Sequence, residues 1–406
     1  MTPARLNLGI LGTDPRIAAV ASAATARGHR IALVADASAG LFPGAEAVTA
    51  DALLDSAACD AVLVGADGWS EQRAEAVRLL VQAGRPILAS QPLDLSMLWA
   101  WELEMIRRDA GGPLVPLLPE RLHPLVARLR GLLESSLGGG GPLGAVESLL
   151  LTRQLGDRGR EAVLRALARD ADLVRMLTGD PARLSALGAD DAAGWQSLVV
   201  GLSGATSVPV RWQVAAGAAP GLRLALHCAT GVASLWMPDD WSQPATWSLP
   251  GQPEESLAVD PAGAMLELVA ARVGGRGAAQ PGAEEHATEP EVVAPATWAD
   301  AARAIELADT VPRSLAKGRA IDLHQEEYSE LGTFRGTMAS LGCGIILAAL
   351  VLVVVAALVG GLAHEFGWGF GGWLAGTWPI VALVALGGFL VLQLLPLVVA
   401  GGREHE

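Results

Sequence analysis

The chain contains 406 residues, with 43 acidic and 29 basic side chains and a formal net charge of −14 at pH 7. Only three acidic residues and one basic residue lie beyond residue 335, so residues 1–335 carry a net charge of −12. An acidic surface repels nucleic acid and anionic lipid headgroups, which excludes both as expected ligands.

The first 122 residues alternate short apolar runs with segments of helical spacing. The apolar runs lie at 6–11, 31–35, 61–65, 86–89 and 114–118, and the helical segments lie at 15–27, 70–83 and 95–108. This alternation predicts a doubly wound, parallel Rossmann-type sheet over residues 1–122, with helices on both faces. The runs are continuously apolar, as expected for strands that are buried on both sides.

Beyond Gly138 the pattern changes. A helical segment and four strand-like runs lie at 160–177, 196–202, 208–215, 222–229 and 232–236. In two of these runs Arg211, Gln213, Arg223 and His227 occupy alternate positions, which predicts antiparallel strands with one wetter face. We interpret that face as solvated; a ligand surface or a subunit interface is the alternative.

These runs predict a second α+β domain over residues 123–325, built on an open and mainly antiparallel sheet. Within it, residues 274–297 are rich in Gly, Pro, Ala and Glu and are expected to form a flexible loop. A helix is expected at 298–307, and residues 326–337 are interpreted as a juxtamembrane tether.

Two long uncharged runs then predict a transmembrane hairpin of two helices. Residues 338–363 contain no Asp, Glu, Lys or Arg, and at ~1.5 Å per helical residue they would span a ~30 Å hydrocarbon core. The second predicted helix is 378–400. A buried hairpin inside a soluble core is the alternative, but soluble helices seldom run this long without a polar face.

Basic residues set the expected orientation of the hairpin. Lys317, Arg319 and Arg335 precede the first span, Arg403 follows the second, and the connector has no Lys or Arg. The positive-inside rule therefore places the amino-terminal head and the carboxyl terminus in the cytoplasm, at the inner membrane. Three cysteines without a CxxC pair suit a reducing compartment, and no metal site is expected.

The turn after the first predicted strand is where a Rossmann-type domain binds a dinucleotide. Only Gly12 remains of a G-x-G-x-x-G pattern, because Asp14 and Ile17 stand at the later glycine positions. Asp14 followed by Pro15 instead predicts a capped helix start. The cap would occupy the amides that bind phosphate and repel its charge, so NAD is expected as a cofactor only in weakened form.

The candidate cofactor contacts are Gly12, Asp36 and Gly65. Asp36 ends the second predicted strand, where a carboxylate would accept the ribose hydroxyls of NAD. No Arg follows it closely to hold an NADP phosphate. A solvated aspartate at the end of a strand is the alternative, and the two interpretations stay open.

Six stretches of the head follow one another in a recognisable order. They lie at 60–67, 84–92, 121–124, 141–146, 172–181 and 298–323. Residues 84–92 read G-R-P-I-L-A-S-Q-P, and residues 172–181 read D-L-V-R-M-L-T-G-D-P. Together the stretches resemble the Gfo/Idh/MocA family of NAD(P)-dependent sugar and polyol oxidoreductases, including its G-K-x-V-x-x-E-K-P and H-x-x-D-x-x-x-x-L-x-G-x-P segments. The resemblance implies a Rossmann domain, an NAD(P) cofactor and a substrate with a CH–OH group.

By this resemblance, Gln91, Arg169 and Asp172 stand at the family's catalytic positions. The family is expected to use a lysine and a histidine for the substrate hydroxyl and its proton, and Gln91 and Arg169 replace them here. Neither replacement exchanges a proton near neutral pH. Asp172 is retained, and His123 is a further candidate, with loop packing as its alternative role.

The changes in the glycine turn and at the lysine and histidine positions suggest a pseudoenzyme. The leading hypothesis is a catalytically degenerate, membrane-anchored member of the family that acts as a binding or scaffold module at the cytoplasmic face. Its expected partners are the lipid bilayer, a small sugar-like ligand, and either a second copy of the chain or a membrane-associated protein. The alternative is an active NAD-dependent oxidoreductase for a sugar or cyclitol derivative, with Asp172 or His123 as its acid–base residue.

Overall fold

The computed structural model describes residues 5–138, 140–188, 194–204, 206–217, 219–274 and 294–323, together with Val355, Leu358 and Glu365. The chain divides into two units, Met1–His324 and Gln325–Glu406. Apart from the three isolated positions, the predicted tether at 326–337 and the predicted spans at 338–363 and 378–400 lie outside the described residues. Within the described residues, no helix is both long enough and apolar enough to cross a bilayer.

The first unit begins with a six-stranded parallel sheet in the order β3-β2-β1-β4-β5-β6. Its strands are β1 (Asn7–Leu11), β2 (Arg30–Ala35), β3 (Glu46–Ala47), β4 (Ala61–Val64), β5 (Ile87–Ser90) and β6 (Leu114–Leu117). The predicted Rossmann-type sheet is confirmed, and its five apolar runs form five of the strands. The short β3 was not predicted, because its two residues are exposed and carry no apolar pattern.

Three helices cover this sheet: α1 (Pro15–Ala26), α2 (Glu71–Gln82) and α3 (Met97–Ala110). The sheet is buried on both faces, since one core contains α1 residues such as Ile17 and another contains Val77 of α2 and Leu103 of α3. Ser70 and Ser96 cap α2 and α3, each hydroxyl accepting a backbone N–H three residues on. Capped helices on both faces match the prediction from helical spacing.

A nine-stranded sheet follows, in the order β14-β13-β12-β11-β7-β10-β9-β8-β15. Its strands are β7 (Val146–Leu155), β8 (Pro181–Leu187), β9 (Val199–Gly204), β10 (Val210–Ala216), β11 (Gly221–Cys228), β12 (Gly231–Pro238), β13 (Ala245–Ser248), β14 (Glu255–Leu257) and β15 (Ile321–Asp322). Only the β7–β10 pair is parallel, so the predicted, mainly antiparallel sheet is confirmed. Sequence patterning found β9 to β12 but not β7, the longest strand.

One face of this sheet packs against helices and the other is open. The remaining helices are α4 (Pro124–Leu137), α5 (Arg160–Thr178), α6 (Pro261–Val273) and α7 (Trp298–Lys317). The core of the second sheet contains residues of α4, α5 and α7, whereas α6 packs on α1. On the open face lie the four polar residues of the predicted wetter side, Arg211, Gln213, Arg223 and His227.

Helix α7 takes part in the cores of both sheets. Trp298 and Ala301 belong to a core of the first sheet, and Ala302 and Ile305 belong to that of the second. The Trp298 Nε1–H donates to the carbonyl of Ala100 at 2.9 Å. Because Met1–His324 is one compact unit, the domain boundary at residue 122 stays a prediction. Most of the predicted loop at 274–297 lies outside the described residues.

Candidate functional site

The candidate site lies at the carboxyl edge of the first sheet, where the chain direction across the sheet reverses. Strands β1 and β4 are neighbours, and the segments that follow them run to opposite sides of the sheet. In doubly wound folds this reversal opens the crevice in which a dinucleotide binds. The side chains at this point therefore decide whether the crevice is available.

Asp14 occupies the amino-terminal end of α1. Its Oδ1 accepts the backbone N–H groups of Arg16 at 2.9 Å and Ile17 at 3.0 Å. Its Oδ2 accepts the backbone N–H of Ala66 at 2.8 Å and the hydroxyl of Ser90. The predicted helix cap is confirmed, and two more donors, from beyond β4 and from β5, converge on the same carboxylate. These are four hydrogen bonds to one buried anion.

Arg73 lies directly over Gly12. A Cβ added to Gly12 would stand 2.5 Å from the Arg73 Cζ, so the guanidinium occupies the space that a glycine leaves above the turn. Arg73 is 4% exposed. Its Nε donates to Asp36 Oδ2 at 2.6 Å, and its Nη1 donates to the carbonyls of Gly65, at 3.1 Å, and Asp67. Sequence reasoning missed Arg73, although it lies on the apolar side of α2.

The structure brings the three predicted cofactor residues together around Arg73. Asp36 has a positive φ of 52° and already accepts the guanidinium. Gly65 lies against the glycine turn, because a Cβ there would stand 2.3 Å from the Thr13 Cα. A β-bridge between Thr13 and Asp67 joins the two turns. We call this group, Gly12, Asp14, Asp36, Gly65 and Arg73, the sealed turn.

Gln91 follows Ser90 at the end of β5 and is 4% exposed. Its Nε2 donates to the carbonyl of Ala301 in α7 at 3.1 Å, and its Oε1 is buried without a hydrogen-bond partner among the described residues. The amide is thus held against α7, and it has no proton to exchange at neutral pH.

Asp172 is held by an arginine that sequence reasoning did not identify. Arg121 Nη1 donates to Asp172 Oδ1 at 3.0 Å and also lies 3.3 Å from Asp300 Oδ2. Asp172 is 1% exposed, and its Oδ2 is buried with no partner among the described residues. Desolvation by burial raises the pKa of Asp172 to about 6, against the opposing effect of Arg121. This carboxyl therefore titrates near neutral pH.

Arg169 stands three residues before Asp172 and lies among other charged side chains. Desolvation by burial, reinforced by Arg16 and Arg153, lowers its pKa to about 10, so it stays a cation at neutral pH. Arg153 pairs with Asp170 and, at 2.6 Å, with Asp239. We call the group at the junction of the two sheets the charged cluster; it comprises Arg16, Glu120, Arg121, Arg153, Arg169, Asp170, Asp172 and Asp239.

His123, the other catalytic candidate, has a structural role at the start of α4. Its Nδ1 accepts the backbone N–H of Leu125 at 3.1 Å, which caps the helix. Burial lowers its pKa. It lines a mostly apolar cavity of about 70 Å³ together with Met237 and Trp241. The loop-packing alternative therefore describes its contacts.

Two further predictions concern metals and the open sheet face. Among the described residues, no group of His, Cys, Asp and Glu side chains could hold a metal ion. On the sheet face, the Gln213 Nε2 donates to Thr152 Oγ1 at 3.1 Å, and the Arg223 guanidinium lies 5.6 Å from the Trp236 ring centroid. The structure thus separates these polar residues from the sealed turn and the charged cluster.

Comparison with known proteins identifies the fold. No protein-family model matches the sequence, and no curated protein sequence is similar to it. A myo-inositol dehydrogenase from Corynebacterium glutamicum is similar in structure, with 17% identity, a TM-score of 0.58, and coverage of 79% of this chain and 99% of that chain. GenD2 from gentamicin A biosynthesis, solved with NAD, gives 19%, 0.60, 80% and 98%.

A third structure agrees with these two. The UDP-N-acetylglucosamine 3-dehydrogenase GnnA from Acidithiobacillus ferrooxidans is 18% identical, with a TM-score of 0.56 and coverage of 77% of this chain and 99% of that chain. At such identities the comparison establishes a shared fold. The head of this chain therefore has the two-sheet fold of NAD-dependent dehydrogenases.

Proposed function

We propose that this chain is a divergent member of the Gfo/Idh/MocA family whose head no longer carries out hydride transfer and instead binds a ligand or partner. The shared fold and the order of the sequence motifs support the family. The carrying observation against a working cofactor site is Asp14, whose carboxylate already accepts the amides at the start of α1.

The charge of Asp14 opposes a dinucleotide as strongly as its hydrogen bonds do. A phosphate about 4 Å from a carboxylate is repelled by ~4 kcal/mol at an effective dielectric constant near 20. The dipole of α1 would return only ~0.3–1 kcal/mol. Repulsion therefore prevails, and a pyrophosphate does not fit the turn in the usual pose.

Arg73 adds a steric barrier to this electrostatic one. Its guanidinium fills the space above Gly12 and binds Asp36, which would otherwise be free for a ribose. Displacing it would leave a 4%-exposed cation without its two carbonyls and its carboxylate. The residues present therefore do not fit NAD, and they do not fit NADP either.

The acid–base positions support the same conclusion. Gln91 is bonded to Ala301, and Arg169 remains a cation, so neither delivers a proton to a substrate oxygen. General acid–base help of about 10²–10⁴-fold is absent from these positions.

One observation favours the alternative of an active dehydrogenase. The pKa of Asp172 is raised to about 6, which suits a general acid or base. Against this, Arg121 holds one of its oxygens at 3.0 Å, and the sealed turn leaves no seat for the oxidant. A shifted pKa also arises in ion pairs that only support the structure.

Titration of the full-length chain with NAD, NADH and NADP tests the proposal, with the melting temperature as the readout and inorganic pyrophosphate as the control for charge. We expect each nucleotide to stabilise the chain no more than pyrophosphate does. Saturable stabilisation by a nucleotide beyond that of pyrophosphate, or reduced cofactor accumulating with myo-inositol, would overturn it.

We also propose that the uncharged runs 338–363 and 378–400 anchor the head at the cytoplasmic face of the inner membrane. Their length and lack of charge support this. In fractionated cells we expect the full-length chain to stay in the membrane fraction after an alkaline wash and to be released by detergent. Recovery of the chain in the soluble fraction without detergent would contradict the anchor.

A further inference from the structure

Two arginines of the charged cluster carry donors that no acceptor satisfies. Arg169 makes no hydrogen bond or ion pair with any described residue, and its Nε is enclosed. The Nη1 of Arg16 is likewise enclosed without an acceptor, although its Nη2 pairs with Glu120 at 2.7 Å. The two guanidinium groups are close enough for Arg16 to depress the pKa of Arg169.

The carboxylates nearby are already engaged. Asp170 and Asp239 both pair with Arg153, and Asp170 also accepts the Nε1–H of Trp212 at 2.8 Å. Glu120 pairs with Arg16. These pairings leave Arg169 without a carboxylate partner among the described residues. A buried donor without an acceptor costs about 1–3 kcal/mol, and more when it is charged.

We propose that Arg16 and Arg169 bind a small oxyanion, the carboxylate or phosphate group of a soluble sugar-like ligand. This inference rests on the proposed function, because it treats the charged cluster as the site of a ligand and not of a reaction. Guanidinium groups match the planar geometry of such anions. Arg169 keeps intermediate exposure, which leaves a route from solvent. A flat bilayer surface does not reach donors that lie below the protein surface.

Ligand-induced stabilisation of the full-length chain tests this site at constant ionic strength. The probes are inorganic phosphate, glucuronate as a sugar carboxylate, and glucose as its neutral counterpart. We expect saturable stabilisation by phosphate and glucuronate, and much less by glucose. The variant Arg169→Gln should bind both anions roughly ten- to a hundredfold more weakly, because a charged hydrogen bond is lost.

Arg130→Gln is the matched control, since it removes the same charge from an exposed helical pair with Glu134. It should leave anion binding unchanged. Equal stabilisation by glucose and glucuronate would overturn the proposal, and so would unaltered binding by Arg169→Gln. If that variant does not fold, Arg169→Lys keeps the charge but not the planar donor array; we expect a smaller loss, and no loss would overturn the site.

The proposed function and this site can fail separately. A nucleotide response beyond that of pyrophosphate would refute the first and leave an Arg169-dependent phosphate response standing. A flat response to phosphate and glucuronate would refute the second while leaving the sealed turn intact.

Discussion

The sealed turn and the charged cluster belong to the same compact unit but satisfy their polar groups in opposite ways. In the sealed turn both oxygens of Asp14 are bonded, and Arg73 is held by a carboxylate and two carbonyls. In the charged cluster Arg16, Arg121, Arg169 and Asp172 each keep a buried atom without a partner. The first region has supplied its own ligand, whereas the second still lacks one.

This difference teaches where to look for function in a diverged fold. A site whose polar atoms are all paired internally has no free energy left to offer a ligand, because binding must first break those bonds. A site with enclosed, unpaired groups gains that free energy when a ligand arrives. Each of the following predictions would break or sharpen this contrast.

The largest expected effect separates the paired from the unpaired arginine of the charged cluster. Arg153→Met leaves Asp170 and Asp239 buried without their cation, and we expect a loss of about 3–5 kcal/mol in the free energy of unfolding. Arg169→Met removes a cation that has no direct partner, so it should cost far less. Chemical denaturation of both variants measures this. Equal losses would mean that Arg169 is as firmly paired as Arg153.

The second effect concerns reopening of the sealed turn. The double variant Asp14→Gly, Arg73→Ala removes the repelling carboxylate and uncovers Gly12, and affinity for NAD should rise roughly a hundredfold as a few kcal/mol of repulsion vanish. Isothermal titration measures it.

Asp14→Asn with Arg73 intact is the control for this variant, because it removes the charge but keeps a capping side chain. It should show a smaller gain than the double variant. A double variant that folds and binds NAD no better than the natural chain would show that the turn is not what excludes the cofactor.

The third effect is a pH dependence from Asp172. Because its pKa is raised to about 6 in the folded state, its contribution to stability is present below its unfolded pKa and is lost as the pH rises through about 6. The shift corresponds to roughly 3 kcal/mol. Asp172→Asn mimics the protonated form, so its stability should match that of the natural chain near pH 4 and exceed it at pH 8. Melting curves of both chains across this range check the sign, and parallel curves would contradict the burial argument.

The smallest effect comes from His123. His123→Ala removes the cap of α4 and should cost about 0.5–2 kcal/mol, whereas His123→Asn should keep most of the stability. The pKa of His123 is lowered, so its contribution is present above its unfolded pKa and is lost as the pH falls. Thermal unfolding at neutral and mildly acidic pH measures both. If His123→Ala unfolds like the natural chain, the cap carries no stability.

Local sequence signals predicted much of the fold. Continuous apolar runs such as 61–65 could be assigned to buried strands because a sheet covered on both faces requires them. Asp14 and Pro15 marked the start of α1 because capping depends on neighbouring residues. The two-residue β3 and β15 carry too little pattern to be found in this way.

The site was less predictable because its contacts join distant positions. Arg73 reaches Gly12 and Asp36 from another helix, and nothing in their spacing signals that contact. An arginine on the apolar side of α2, in line with Val77 and Leu80, was the available hint. Arg16 and Arg169 come from α1 and α5, so their shared lack of acceptors appears only in three dimensions.

Helix α7 has a mechanical consequence for the whole head. With Trp298 and Ala301 in one core and Ala302 and Ile305 in the other, a single rigid rod crosses the joint between the two sheets. Swinging the sheets apart would extract a buried indole and break its bond to Ala100. Access to the interior must therefore come from rearranging side chains and not from hinge opening, so exchange of any occupant should be governed by rotamer changes.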